Sequence, residues 1–293
     1  MILTTAVRKD IALAIEADKK NFANNQKRHS EHLGINPGIY SRILGGDLDN
    51  VLSDSNWSKI AILLNLNIEG NRWATANTET YLKITHDLQR CQSQKLSLIF
   101  CDEKGIGKTY TAKEYAKKVS DVGYVDCSNI SSKNQMTRAI AKAFGFTSKG
   151  QFAAVRENLI DGLLMLKKPL IILDEAGDMP DSCFCEIKSL WNALQDWCGW
   201  YMMGANGLAK KVDRKMDAQK VGFEEVYDRF GSKYQSCIRN KAEIEKTMFR
   251  RQQAELVLVT NRPKINKKEA NEILNNSELS LRRLKILLTV ESN

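Results

Sequence analysis

A loop with two glycines, placed between an apolar run and a helical pattern, limits the folds open to this chain. Residues 96–101 predict a buried strand, residues 109–119 predict a helix, and the loop between them reads Asp-Glu-Lys-Gly-Ile-Gly-Lys. Gly105 and Gly107 allow backbone N–H groups to turn inward without a Cβ clash, and the start of the helix adds N–H groups that favour an anion. The loop matches the Walker A pattern for binding a nucleoside triphosphate, except that Asp102 replaces its first glycine. We expect the Asp102 side chain to point away from the phosphates.

A second apolar run ends in two carboxylates. Residues 170–173 precede Asp174 and Glu175, so a buried strand would present both acids at the C-terminal edge of a sheet. We expect Asp174 and the Thr109 hydroxyl to hold Mg²⁺, Lys108 to reach the β- and γ-phosphates, and Glu175 to act as the general base. The sequence therefore predicts an ATPase that uses ATP and Mg²⁺. The expected nucleotide contacts are Gly105, Ile106, Gly107, Lys108, Thr109, Tyr110 and Asp174.

Strand-like and helical segments alternate through the middle of the chain. Such alternation predicts an α/β fold, with a mainly parallel sheet covered by helices on both faces. The predicted strands are 96–101, 123–127, 170–173 and 200–203, and the predicted helices are 79–93, 109–119, 134–144, 152–166 and 184–197.

The first 66 residues predict a separate domain of short helices. A helix over 25–33 stops at Gly34, a turn follows, and a helix over 39–44 begins after it, which is the helix-turn-helix pattern. This pattern is similar to the Cro/repressor-type DNA-binding domain. Tyr40 and Arg42 are the residues expected to meet DNA, with Leu33, Ile35, Ile39 and Ile43 facing inward. A fourth helix over 57–66 would be capped by Asn56 or Ser55. The alternative is an all-α accessory domain that binds protein, which the near-neutral charge of this segment favours.

Composition narrows the possible partners and compartment. The net charge of +9 favours a polyanionic partner such as nucleic acid. No apolar run is long enough for a membrane helix, and the first 20 residues do not have the pattern of a signal peptide. The seven cysteines are scattered, which favours reduced thiols over a zinc site. We expect a cytoplasmic protein without a membrane partner.

Three further positions resemble functional residues of AAA+ ATPases. Asn206 follows the predicted strand 200–203 and resembles the sensor that orients the attacking water. Arg229 ends a predicted helix and resembles the arginine that reaches the nucleotide of a neighbouring subunit, with Arg214 in reserve. An intramolecular salt bridge is the alternative for Arg229. Arg282 resembles the phosphate-contacting arginine of the helical lid, and its neighbour Arg283 stays open for that role.

Together the loop 105–109, Asp174-Glu175, Asn206, Arg229 and the segment 281–284 resemble the AAA+ transposition ATPases. That family joins a repressor-like N-terminal domain to one AAA+ module. The resemblance implies a helix-turn-helix domain at 1–66, a linker at 67–78, and an AAA+ P-loop domain at 79–293 with a small helical lid at about 262–293. It also implies ATP-dependent, largely sequence-independent binding of double-stranded DNA by a helical filament. It implies recruitment of a transposase and hydrolysis that clears the filament.

In filaments of this kind, loops between the second and third strands grip the DNA backbone. The expected contacts here are Ser131, Ser132, Lys133 and Lys149, with affinity that falls steeply with salt. Two other functions remain open. One is an AAA+ helicase loader in DNA replication, and the other is an ATP-regulated, sequence-specific DNA-binding regulator.

Overall fold

The computed structural model describes residues 4–49, 51–64, 66 and 73–290. The described residues between 4 and 64 form an N-terminal helical unit, which contains four α-helices and one 3₁₀ turn (Lys19–Phe22). The helices are α1 (Thr5–Asp18), α2 (Gln26–Leu33), α3 (Pro37–Leu44) and α4 (Asp54–Leu63). Each begins at a polar side chain that accepts a backbone N–H, supplied by Thr4, Asn25, Asn36 and Ser53. The predicted caps of the last helix, Asn56 and Ser55, are therefore wrong, because the helix starts earlier, after Ser53.

The core of this unit includes a residue that was expected to meet DNA. Leu33 and Ile43 are buried as predicted, but Tyr40 is fully buried as well. Its hydroxyl lies 2.8 Å from Nδ1 of His29, whose Nε2 lies 3.1 Å from a carboxylate oxygen of Asp18. The expectation that Tyr40 contacts DNA is wrong, since the aromatic ring supplies apolar area to the core and its hydroxyl finds a buried partner.

The central part of the chain is an alternating α/β structure. Its elements in order are α5 (Glu79–Gln94), β1 (Ser97–Cys101), α6 (Lys108–Lys118), β2 (Val122–Asp126), α7 (Lys133–Ala143), α8 (Phe152–Leu164), β3 (Leu170–Asp174), α9 (Asp181–Ala193), β4 (Gly199–Gly204), α10 (Asn206–Asp217), α11 (Phe223–Arg229) and β5 (Tyr234–Gln235). The part of the chain that the structure describes has five strands, all parallel, in the order β2-β3-β4-β1-β5. This arrangement confirms the predicted sheet and adds β5, which was not predicted.

Side chains that alternate along each strand fill two cores, one on each face of the sheet. In β3, Ile171 and Leu173 face the larger core, while Leu170 and Ile172 face the smaller one. The larger core is covered by α7 to α11, and the smaller one by α5 and α6. Since both faces are covered, a strand such as β3 is apolar along its whole length, which explains its uninterrupted apolar run.

Within the described residues, three helices follow the sheet: α12 (Glu243–Asn261), α13 (Lys267–Asn276) and α14 (Leu281–Val290). Ala254 and Leu258 of α12 pack with residues of α13 and α14, so the helical lid includes the C-terminal half of α12, before residue 262. Of the predicted linker 67–78, residues 67–72 lie outside the described residues. Residues 73–78 pack on the lid, where the Asn261 side chain hydrogen-bonds the backbone N–H and carbonyl of Ala74 at 2.8 and 3.1 Å. None of the described helices is both long and apolar enough to cross a membrane.

The N-terminal helical unit packs against the core beside the edge strand β2. The Asn21 side chain donates to the carbonyl of Lys117 at 2.6 Å, and Nε of Arg28 donates to the carbonyl of Phe144 at 3.2 Å. The Arg28 guanidinium also lies 5.0 Å from the centre of the Phe146 ring. Gly145 makes this approach possible: a Cβ there would lie 2.1 Å from the carbonyl oxygen of Arg28.

Candidate active site at the C-terminal edge of the sheet

The glycine loop connects β1 to α6 in the conformation that its sequence predicts. Gly105 and Gly107 have φ angles of +81° and +99°, a region that side chains disfavour, and Gly107 is the residue from which α6 begins. Lys108 is only 7% exposed, and its Nζ donates to the carbonyls of Asp102 and Glu103 at 3.0 and 2.6 Å. The loop therefore holds a lysine ammonium beside the free N–H groups at the start of a helix.

The Asp102 side chain points away from this loop, as expected. Its carboxylate is fully buried and accepts hydrogen bonds from the backbone N–H groups of Glu103, Cys237 and Ile238. The departure from glycine at the first position therefore places no side-chain carboxylate among the groups that would surround a phosphate.

The acid pair lies at the end of β3. Asp174 is 1% exposed; one of its oxygens accepts the Glu175 N–H at 2.9 Å and the other accepts the Tyr124 hydroxyl at 2.8 Å. Burial and the charge of Asp174 raise the pKa of Glu175, while Lys108 opposes this rise. A carboxylate with a raised pKa is suited to accepting a proton from water. Tyr124 was not identified from the sequence, because the contact between its hydroxyl and Asp174 depends on β2 lying next to β3, which the sequence does not show.

A cavity of about 360 Å³ is lined by the loop and by Glu175, the second residue of the acid pair. Its floor includes Lys108, Thr109 and Glu175, and its lid side includes Leu281, Arg282 and Lys285. Tyr110, a predicted nucleotide contact, also lines the cavity. The lining residues that were not predicted are Trp73, Ala76, Thr78, Tyr81, Lys113 and Val257. Cations and helix N–H groups suit a triphosphate, and the oxygens of Asp174 and Thr109 suit Mg²⁺. The residues present therefore fit a nucleotide with its metal.

The lid arginines differ in their surroundings. Arg282 lines the cavity. Arg283 instead donates to the carbonyl of Asn276 at 2.9 Å and pairs with the Glu278 carboxylate at 2.5 Å. Of the two residues left open by the sequence, Arg282 is the one that lines the same cavity as Lys108 and Glu175.

Asn206 and Arg229 lie outside the cavity wall. Asn206 is the first residue of α10, and its side-chain oxygen is buried without a hydrogen-bond partner among the described residues. Arg229 ends α11 and donates to the side chain of Asn192 at 3.0 Å and to the carbonyl of Glu225 at 2.9 Å. Within the described part of the chain these partners are neutral, so Arg229 makes no salt bridge there. The catalytic roles of both residues stay predictions.

The residues expected to contact DNA are at the surface, except for Tyr40. Ser132 caps α7 by accepting the N–H of Gln135 at 3.2 Å, Ser131 and Lys149 are exposed, and the Lys133 ammonium lies 5.8 Å from the Phe152 ring. Arg42 is exposed and pairs with Asp47 at 2.7 Å. Their contacts with DNA stay predictions.

Residues 89–212 match the family model described as an AAA domain. No curated protein matched the chain. The matched segment contains the phosphate loop, Asp174-Glu175 and Asn206, and it spans four of the five parallel strands. The match and the sheet together support an AAA+ P-loop ATPase domain in this part of the chain.

Proposed function

We propose that this chain is an ATP-dependent DNA-binding protein of transposition. In this proposal it oligomerises on double-stranded target DNA, recruits a transposase and hydrolyses ATP. The observation that carries the proposal is a cavity that Lys108, Glu175 and Arg282 line together, with Asp174 beside it accepting the N–H of Glu175. That arrangement supplies a phosphate-binding loop, a base and a lid cation, which are the parts a nucleotide-driven assembly needs.

Each of these residues has a defined part in turnover. When bound, Mg²⁺ neutralises developing charge on the phosphates, and the Asp174 carboxylate and Thr109 hydroxyl would hold it. Lys108 binds the β- and γ-phosphate oxygens from a buried position, where its charge is screened little by water. Glu175 accepts the proton of the attacking water, and Arg282 orients the phosphates from the lid. Arg229, on α11, is proposed to complete the site of a neighbouring subunit.

Binding to DNA is supported by charge and exposure. The chain carries a net charge of +9. Lys133 and Lys149 are exposed and lie in the segment of the chain that follows β2 and precedes β3. Contacts of this kind reach phosphates and not base edges, so they would bind DNA with little sequence preference. The chain joins an N-terminal helical unit to an AAA domain, as the AAA+ transposition ATPases that it resembles do, and this supports a role in transposition.

Electron microscopy and DNA-binding measurements with and without ATP test this proposal. We expect filaments on duplex DNA only with ATP and Mg²⁺, and an affinity that falls steeply with salt. Lys108→Ala should abolish ATP binding and assembly, whereas Lys168→Ala, an exposed lysine at the opposite end of the strands, should not. Replacing Lys133 and Lys149 by Ala should weaken DNA binding without weakening ATP binding. Binding to one selected sequence without filaments would instead support a regulator, and binding of a helicase would support a loader.

A further inference from the structure

The entrance of the phosphate loop is fixed to a distant part of the chain by Asp102. This residue is 0% exposed, and its carboxylate accepts three backbone N–H groups. One is its neighbour Glu103, at 2.8 Å; the other two belong to Cys237 and Ile238, more than 130 positions later, with the Ile238 distance at 3.0 Å. A buried carboxylate with three N–H partners forms strong, directional hydrogen bonds.

Two more contacts join the same parts of the chain. Glu103 pairs with Lys246 and Arg250, which lie one turn apart on α12. Ile106, inside the loop, is 3% exposed and packs in a small apolar cluster with Ile238 and Phe249. The loop is therefore joined to the segment 237–250 at its first, second and fifth positions.

This segment leads directly into the lid. The C-terminal half of α12 packs with α13 and α14, and α14 carries Leu281 and Arg282 on the cavity wall. The N–H of Leu281 also donates to the carbonyl of Gly105 at 3.3 Å. The loop and the lid thus meet twice, once through α12 and once across the cavity.

We propose that Asp102 is a positioning residue, which fixes the phosphate loop to residues 237–250 and so sets the geometry of Lys108 relative to the lid. The inference rests on the proposed binding of ATP. Glycine at this position, although usual in the loop pattern, would leave the N–H groups of Cys237 and Ile238 without the carboxylate. The chain therefore needs an acid where the pattern has glycine.

The test is to restore the consensus glycine. Asp102→Gly should raise the KM for ATP at least tenfold and change kcat much less, because the loop is misplaced while Glu175 is untouched. Asp102→Asn keeps one acceptor oxygen but not the charge, so its KM should lie between those of the unsubstituted protein and Asp102→Gly. The matched control is Asp196→Gly, an exposed aspartate with φ of 59° that lies before β4, where glycine fits without strain. An Asp102→Gly variant with the KM of the control would overturn the proposal.

Hydrogen exchange of peptides covering 237–250, without nucleotide, separates this inference from the proposed function. Exchange there should be at least tenfold faster in Asp102→Gly than in Asp196→Gly, and unchanged exchange would refute the proposed connection even if the protein bound no ATP. Should Asp102→Gly fail to fold, the KM for ATP and the exchange of 237–250 are measured on Asp102→Asn. We expect each to rise at least threefold relative to Asp196→Gly, and values equal to those of Asp196→Gly would overturn the proposal. If the unsubstituted protein binds no ATP while Asp102→Gly exchanges faster, only the proposed function fails.

Discussion

Gly145 controls how the N-terminal helical unit sits on the core, and Gly145→Ala should release it. The added Cβ would lie 2.1 Å from the carbonyl oxygen of Arg28, which is backbone and cannot rotate away. The unit would have to move by roughly 1 Å or more to restore a normal contact distance. Gly34→Ala is the matched control, because Gly34 has a similar φ of +71° but an added Cβ there meets nothing within 4 Å.

The size of the effect follows from the contacts that such a movement breaks. The hydrogen bond from Arg28 to the Phe144 carbonyl is already 3.2 Å long, and the bond from Asn21 to the Lys117 carbonyl is 2.6 Å. Each is worth about 1 kcal/mol, so the unit loses about 2 kcal/mol of docking free energy. At about 1.4 kcal/mol per factor of ten, the unit should detach about 30-fold more often. The left-handed conformation costs alanine roughly 1–2 kcal/mol in both variants and so cancels in the comparison.

Hydrogen exchange at Asp121 reports this detachment directly. Its amide lies in the core and donates to the carbonyl of Asn21 in the N-terminal unit at 3.4 Å. Exchange of a peptide covering 117–122 should be about 30-fold faster in Gly145→Ala and close to normal in Gly34→Ala. Equal exchange in the two variants would show that Gly145 serves only its own loop conformation and that the argument from close approach is wrong.

Three further predictions concern the cavity and its neighbours. Arg282→Ala should weaken binding of a fluorescent ATP analogue about tenfold or more, whereas Arg283→Ala should not; the reverse order would assign the lid role to Arg283. Glu175→Gln should bind ATP and hydrolyse it very slowly, and kcat of the unsubstituted protein should fall as pH drops through the raised pKa of Glu175, because the base must be ionised. A pH profile that is flat across the carboxyl range would count against Glu175 as base. Arg229→Ala should block hydrolysis in assembled protein while the monomer's nucleotide affinity stays normal, and a variant that hydrolyses ATP normally when assembled would disprove a role in trans.

Local patterns predicted the central sheet well. In the loop at 102–108 and the run at 170–173, a few adjacent residues were enough to predict both the secondary structure and the functional groups. The observed strands β1 to β4 begin and end within one or two residues of those predicted. This agreement reflects parallel strands that are covered on both faces and so remain apolar throughout.

The missed parts depend on contacts between distant residues. β5 has two residues and exists because it pairs with Ile99 and Phe100 of β1. Helix α12 was not predicted, since Gln253 is buried while Ile244 is 77% exposed, which reverses the usual pattern. Tyr40 was placed on the wrong face for the related reason that an aromatic residue with a hydroxyl suits either surface or core. Its buried partner His29 lies on a different helix and could not be identified from spacing alone.

Residues 73–78 have a consequence for communication along the chain. They connect the N-terminal helical unit to α5, and Trp73, Ala76 and Thr78 form part of the cavity wall. The Thr75 hydroxyl lies 2.6 Å from that of Tyr110, which also lines the cavity. A ligand that filled this space would therefore lie against the backbone segment that leads back toward the N-terminal helical unit. Occupancy of the cavity and the position of residues 73–78 would then affect each other by direct contact, without any change in the sheet.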